Sequence, residues 1–341
     1  MSAEGGLTCR ACGSARVALR GHRRGEFIRR EFAFHTCLDC GLLFVEPFSG
    51  FAIYDHAYYR GEGPDPYVDY EAEYRNWQAT DRRLEFADLA RLAEEFLGRS
   101  GQRIGSGGRL GNQRETPTAH DSPPAGRNSP APIEWLDFGC GAGGLLKFLR
   151  ERASFHDRPL RLTGHDLGSY AQLLQNRDGF RILNLEELTR EPAARYDVIS
   201  MIEVIEHLPD PSAPLALIAR LLKPGGLLLL TTGNLEGRIP RRRGIDYAYC
   251  VPEVHVSLFN PACLARLYRR HGLEPHAVRY RGVVQFKVLK TLRHRPVRCA
   301  LARLAMRFPP MVRLIDSLYG VSAMPCAVKP AASFPPAAEN H

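Results

Sequence analysis

The sequence has no apolar run long enough to cross a bilayer. Its longest purely aliphatic stretch is Leu227–Leu230, where a spanning helix needs about 20 apolar residues. An export signal is also lacking, since MSAEGGLTCR has no basic segment leading into an apolar core. These absences predict a soluble, cytoplasmic protein. No internal repeat is visible, which argues against a solenoid. Residues 100–132 (SGQRIGSGGRLGNQRETPTAHDSPPAGRNSPAP) almost lack apolar side chains and cannot bury a core, so they read as a disordered insertion. Acid is scarcer than base, 37 against 46 residues, for a formal net charge of +9. That balance permits nucleic acid, anionic lipid or phosphorylated partners and selects none of them.

What is present falls into regions. The chain has 341 residues, 44% of them hydrophobic, enough for one large domain and one small one. Residues 1–45 carry two cysteine pairs. Residues 46–99 are rich in Tyr and acid and then turn helical, with Leu84, Leu89, Leu92, Ala93 and Phe96 spaced as one face over 81–97. From 133 to 330 short apolar runs alternate with amphipathic stretches, the pattern of a parallel sheet. Strands are expected at 134–138, 160–165, 181–183, 197–201, 226–231, 276–280 and 323–328. Residues 331–341 read as a loose tail.

The strongest local signal is WLDFGCGAGGLL, residues 135–146. It reads as a buried strand, a glycine turn and a helix. Gly139, Gly141 and Gly143 let the backbone turn tightly and approach a ligand. Gly139, Gly141 and Gly144 also fit a dinucleotide fingerprint. Asp137, two residues before the glycines, would repel a pyrophosphate and could hold an ammonium group. Asp166, in TGHDLG 29 residues after Asp137, is placed for ribose hydroxyls in either case.

With YDVISMIEVIEHLPDP and LLKPGGLLLLTT downstream, residues 133–235 resemble the class I S-adenosylmethionine (SAM)-dependent methyltransferases, in the branch with an ExxEH segment after the fourth strand. The resemblance implies an α/β fold with a doubly wound, mostly parallel seven-stranded sheet. It implies that Asp137, Gly139, Cys140, Gly141 and Gly143 surround the methionine part of SAM. By the same likeness Asp166 takes the ribose and Leu167 packs on the adenine. Asn184 with Leu185 falls where the family often has an acid near the adenine amine. Glu203 faces the cofactor cleft.

Glu203, Glu206 and His207 share one face if a helical turn begins there. With His255, in EVHVSLFNP, they suit Mg2+ or Mn2+. This pattern is similar to small-RNA 3′-terminal 2′-O-methyltransferases and to the O-methyltransferases of ubiquinone biosynthesis. In those, by resemblance, a metal lowers the pKa of the acceptor hydroxyl. Two other readings stay open: His207 or His255 works without metal, or the segment is structural. Tyr247 and Tyr249 either line the acceptor pocket or pack a loop.

Cys9-x-x-Cys12-Gly and Cys37-x-x-Cys40-Gly form two matching knuckles with 24 residues between them. Four thiolates make a closed tetrahedral Zn2+ site of the structural type, which supplies folding energy to a module too small for a core of its own. The ribbon carries Arg20, His22, Arg23, Arg24, Arg29 and Arg30, interrupted by Glu26 and Glu31; scaffolding is favoured over nucleic-acid binding. Such a ribbon on this catalytic domain resembles bacterial methyltransferases of sugar and natural-product pathways. Cys140, Cys250, Cys263, Cys299 and Cys326 read as free core or loop thiols.

Residues 287–319 form a basic helical insert with eight Lys or Arg and one acid, Asp316. Leu301, Leu304, Ala305 and Phe308 make an apolar face there. Such a helix packs on the domain, covers a phosphorylated or lipid-linked acceptor, or lies on a membrane. The expected activity is methyl transfer from SAM to a hydroxyl or carbon of a small metabolite. The rivals are a metal-assisted RNA 2′-O-methyltransferase and a non-catalytic SAM-binding scaffold.

Overall fold

The computed structural model describes residues 7–62, 70–105, 130–168, 178–292 and 295–331. A central sheet holds β4 (Ile133–Phe138), β5 (Ser154–Phe155), β6 (Arg158–His165), β7 (Arg181–Leu183), β8 (Tyr196–Ile202), β9 (Leu222–Thr231), β11 (Glu274–His276) and β12 (Cys326–Val328). Its order is β7–β6–β4–β8–β9–β12–β11, with the two-residue β5 also on β6. The pairs β4–β6, β4–β8, β6–β7 and β8–β9 are parallel, and β12 runs antiparallel between β9 and β11. Setting β5 aside, this is the expected seven-stranded, mostly parallel sheet.

Leucine-only runs suit strands buried on both faces. In β9, Leu228 and Leu230 join one core with Leu136, Ile199, Leu215, Ile218 and Leu264. Leu227 and Leu229 join the opposite core with Trp135, Val198, Phe148, Leu89 and Val283. Helices 185–190, 212–221 and 261–270 cover the first face, and helices 82–105, 144–152 and 282–292 cover the second. The sheet is therefore doubly wound.

The N-terminal part forms β1 (Val17–Arg24), β2 (Glu31–Cys37) and β3 (Leu43–Glu46). Its antiparallel sheet takes a fourth strand, β10 (Ser257–Leu258), from far along the chain, in the order β1–β2–β3–β10. Phe44 and Leu42 of the ribbon pack into the same core as Phe259 and Leu264.

Three expectations shift. The helix expected over 81–97 runs on to Gly105, into the stretch expected to be disordered, of which 106–129 lies outside the described residues, as does the tail from 332. The strand expected at 276–280 lies instead at Glu274–His276. Beyond it the chain is tied by side chains, with the Tyr280 N–H donating to Ser322 Oγ and the Tyr280 hydroxyl to the Leu230 carbonyl. The strand expected at 323–328 is confined to Cys326–Val328, because Val321–Ala323 closes a 3-10 turn just before it.

The basic insert resolves into helices Gly282–Leu292, Pro296–Ala305 and Pro309–Tyr319, the last two opened by proline in their first turn. The first of these is locked to helix 82–105. A Cβ on Gly282 would stand 1.9 Å from the Leu84 carbonyl oxygen, so only glycine fits this crossing. Asp88 Oδ2 accepts the N–H groups of Arg281, Gly282 and Val283 at 2.7, 2.9 and 3.3 Å. A buried carboxylate on three otherwise unmet helix donors is stabilising twice, through hydrogen bonds and through the helix dipole. Replacing Asp88 with Ala should lower stability by about 2–3 kcal/mol, measured by urea unfolding; a change below about 0.5 kcal/mol, the level of an ordinary surface substitution, would refute this cap.

Candidate functional site

The glycine turn lies at the carboxyl end of β4, where ligands bind in open parallel sheets. Gly139 has φ 78°, and a Cβ there would strike Val204 at 2.4 Å. Above the turn is a cavity of about 410 Å³, lined by Asp137, Gly139, Cys140, Gly141, Asp166, Leu167, Leu185, Glu203 and His207 among others. Asp166 is fixed by three donors: Gly141 N–H to Oδ2 at 2.8 Å, and Gly168 N–H and the Tyr59 hydroxyl to Oδ1 at 2.7 and 3.1 Å. Asp137 is buried and accepts from Ser200 Oγ at 2.6 Å, and the Trp135 indole N–H donates to that same Oγ at 2.9 Å. Burial pushes the Asp137 carboxyl up to about 7, against the Ser200 hydrogen bond.

Two expected cofactor residues lie elsewhere. The Asn184 side chain caps helix 185–190, accepting from Glu187 N–H while Glu187 accepts from Asn184 N–H, and it is not in the cavity wall. Asn is a strong N-cap residue, and that explains its presence at this position. Gly143, at φ 82°, precedes the helix at 144 and does not line the cavity either.

A second cavity, of about 440 Å³, adjoins the first. Tyr70, Arg82, Glu203 and His207 line both. Tyr247, Tyr249, His255, Lys287, Lys290 and Arg243 line only the second. The sequence pattern did not single out Tyr54, Tyr58, Tyr59, Tyr70, Arg82 or Lys287. The one available signal was the density of tyrosine in 54–74.

The ExxEH segment is not a helical turn from Glu203. Strand β8 ends at Ile202, Glu203 adopts φ 54°, and a short 3-10 turn begins at Ile205. The left-handed backbone at Glu203 takes the segment out of helical register, yet the two carboxylates still meet at one phenol: the Tyr249 hydroxyl lies 3.2 Å from Glu203 Oε2 as well as within reach of Glu206 Oε1. Lys287 Nζ lies 2.8 Å from Glu203 Oε1 and also donates to the Thr232 carbonyl at 3.1 Å. Glu206 is fully buried, accepting from Thr232 Oγ1 at 2.8 Å and from the Tyr249 hydroxyl at 2.5 Å. Burial raises both carboxyls; at Glu203 the Lys287 ammonium overrides burial and holds it well below the usual range. At Glu206 the charge of Glu203 adds to burial and holds it well above that range.

The structure gathers Glu206, His207 and His255, with one ligand atom from each within 4.8 Å of the others. Glu203 stands outside this group. His207 Nδ1–H donates to the Val254 carbonyl at 3.0 Å, and His255 Nδ1–H to the Tyr249 carbonyl at 2.5 Å. A carbonyl acceptor calls for Nδ1–H and leaves a lone pair on Nε2, the arrangement usual for metal-ligating or basic histidines; at His207 the Tyr54 hydroxyl shares the same Nδ1 at 2.9 Å. A carboxylate and two imidazoles fit a divalent cation.

The ribbon cysteines also fit their ion. Cys9 and Cys40 Sγ lie 3.5 Å apart, as do Cys12 and Cys37 Sγ, against an edge of about 3.8 Å for a ZnS4 tetrahedron. The ribbon is wired to the wall of the second cavity. Arg23 Nη1 donates to the carbonyls of Ile245, Tyr247 and Cys250 at 3.0, 3.4 and 2.8 Å. Glu253 Oε1 accepts from Phe27 N–H at 2.8 Å. Val45 N–H donates to the Val256 carbonyl, and Val256 N–H donates to the Glu206 carbonyl.

A family model described as a methyltransferase domain matches residues 111–278. The chain is 38% identical over 112 residues to a ubiquinone biosynthesis O-methyltransferase of Xanthomonas axonopodis pv. citri (strain 306), covering 32% of this chain and 46% of that one. It is 29% identical over 161 residues to the protein of the same description from Bordetella avium (strain 197N), covering 42% and 63%. The chain thus spans less than two thirds of the length of these relatives. A solved complex of the Haloferax volcanii Trm112 methyltransferase activator with a methyltransferase aligns at TM-score 0.38 and 17% identity, over 60% of this chain and 86% of that one.

Because the ribbon holds the loop that carries Tyr249 and His255, Cys12→Ser should raise amide hydrogen exchange across 245–258 by about tenfold or more. Strands β4 and β8 should stay protected. Unchanged exchange at 245–258 in a zinc-depleted variant would show that the ribbon does not support this wall.

Proposed function

Because a methyltransferase-domain family model matches residues 111–278, we propose that this chain is a class I SAM-dependent enzyme that transfers the methyl group of SAM to a hydroxyl oxygen of a small-molecule acceptor held in the second cavity. The observation that carries this reading is the shared wall: Glu203 and His207 line both cavities, His255 lines the second, and the buried Glu206 places a ligand atom within 4.8 Å of one on each histidine. SAM supplies an electrophilic methyl on a sulfonium, and its own leaving group.

In this reading Asp137 holds the methionine ammonium and Asp166 the ribose hydroxyls, while Leu167 and Leu185 border the adenine. His207 and His255 present Nε2 lone pairs toward the acceptor side. They remove the hydroxyl proton directly, or with Glu206 they hold a Mg2+ or Mn2+ ion, whose chemistry is to acidify a bound hydroxyl. Glu203, ion-paired with Lys287, keeps one fixed negative charge beside the sulfonium without competing for that proton. The Cys9–Cys12–Cys37–Cys40 set holds a structural Zn2+ with no open coordination position. Arg243, Lys287 and Lys290 around the second cavity favour an acceptor with an anionic or phosphorylated part.

Transfer of radiolabelled methyl from SAM into a cell extract, with and without Mg2+ or Mn2+, tests the reading. Label in small polar or lipid pools supports it, and metal-dependent label in RNA overturns the acceptor class. His255→Ala should reduce kcat/KM about a hundredfold or more while leaving S-adenosylhomocysteine binding intact; full activity would remove His255 from the chemistry.

Asp137 gives a pH signature. Its folded-state pKa, about 7, lies above the usual carboxylate value because of burial, so the proton leaves only near neutrality. An ammonium ligand needs the ionised form. S-adenosylhomocysteine affinity should therefore rise as pH increases through about 7 and weaken by up to about tenfold per unit below it. Calorimetry on Asp137→Asn should show weak binding without that slope; a parallel slope in the variant would assign the titration elsewhere.

A further inference from the structure

The apolar stripe of the basic insert faces solvent. Val297, Leu301, Leu304 and Phe308 are 71%, 62%, 55% and 63% exposed, and Met311 and Leu314 on the next helix are 38% and 55% exposed. The buried anchors of these helices are other residues: Cys299 and Met306 on one, Val312 on the other. Both helices thus have an apolar side toward the core and a second apolar side turned outward. Outward apolar faces on two helices joined only by residues 306–308 mark an interaction surface.

Charge identifies the partner. Arg295, Arg298, Arg307 and Arg313 are exposed around these faces. Arg303 is paired with Asp81, and the single acid of the two helices, Asp316, is turned inward to accept from Ser322 N–H. Helix 309–319 also borders helix 238–243, and Arg238, Arg242, Arg243 and Leu318 line one depression. The nearby exposed acids, Glu236 and Asp246, are outnumbered. A second copy docked on this face by a two-fold axis would set the same arginines against each other. An anionic bilayer would meet both features, taking leucine and phenylalanine side chains into the acyl boundary and arginines into the headgroups.

We propose that helices 296–305 and 309–319 form a membrane-docking surface for anionic lipid. No described helix is long and apolar enough to cross a membrane, and the attachment proposed rests on this surface alone. Ile239, Arg243, Lys290 and Tyr319 belong to the second cavity, so docking here brings that cavity close to the lipid surface. Lipid binding does not depend on which acceptor the cavity takes, and the two readings can fail separately.

The test is co-sedimentation of the full chain with phosphatidylcholine vesicles, with and without phosphatidylglycerol. Binding is expected only with the anionic lipid and should weaken with salt. R298Q/R307Q/R313Q should lose about fivefold per arginine, about a hundredfold together. L301Q/L304Q/F308Q should also release the protein without changing net charge. Both variants alter exposed side chains, and unchanged S-adenosylhomocysteine binding certifies their fold. Absence of wild-type binding to anionic vesicles overturns the proposal. So does an apolar variant that keeps lipid binding but turns a dimer into a monomer in light scattering, which would give these faces to a second copy.

Discussion

Two backbone hydrogen bonds at Val256 hold the centre of this molecule together. Its N–H reaches the Glu206 carbonyl, and its carbonyl takes the Val45 N–H. One residue thereby links the ribbon sheet to the turn that follows β8. That turn needs outside support. Glu203 sits in a left-handed backbone that costs a non-glycine residue about 1–3 kcal/mol, and its half-buried carboxyl lies three residues from the fully buried one of Glu206. Such a turn persists only when its surroundings over-determine it. Ser257 Oγ adds a further bond to the Leu208 carbonyl at 2.7 Å. The ribbon is accordingly part of the wall rather than an appendage.

The charges of the turn are set from a distance. Glu203 and Glu206 are chemically alike, yet the carboxyl pKa of the first is held below the usual range and that of the second above it. The difference comes from Lys287, which reaches Glu203 from helix 282–292. That helix is positioned by Asp88 and by the glycine contact at Gly282. Helix 82–105 therefore contributes twice, by supplying Arg82 to the cavity walls and by fixing the helix that carries Lys287.

Much of the sheet was legible because leucine and valine runs bounded by Gly, Pro and Asp leave few other interpretations. Strand 181–183 matches residue for residue, and Cys9, Cys12, Cys37 and Cys40 converge as their spacing requires. Glu203 was placed with the wrong partners because a spacing argument presumes regular backbone, and its positive φ has no sequence signal. Lys287 is 84 residues from Glu203, a pairing set by tertiary crossing alone. β10 is two residues long and has no periodicity to detect. The apolar face at Leu301, Leu304 and Phe308 was visible as a face, but periodicity cannot tell which side of a helix meets the core when both sides are apolar.

The Trp135–Ser200–Asp137 chain has a spectroscopic consequence. The protein has two tryptophans. Trp77 sits on the outer side, donating to Glu151 at 3.2 Å, whereas Trp135 is fully buried with one hydroxyl between its indole and Asp137. Its excited state therefore experiences the local electric field of the carboxyl beside the glycine turn. With Trp77 replaced by phenylalanine, the emission of the remaining indole becomes an optical gauge of what occupies that end of the sheet, read without any label.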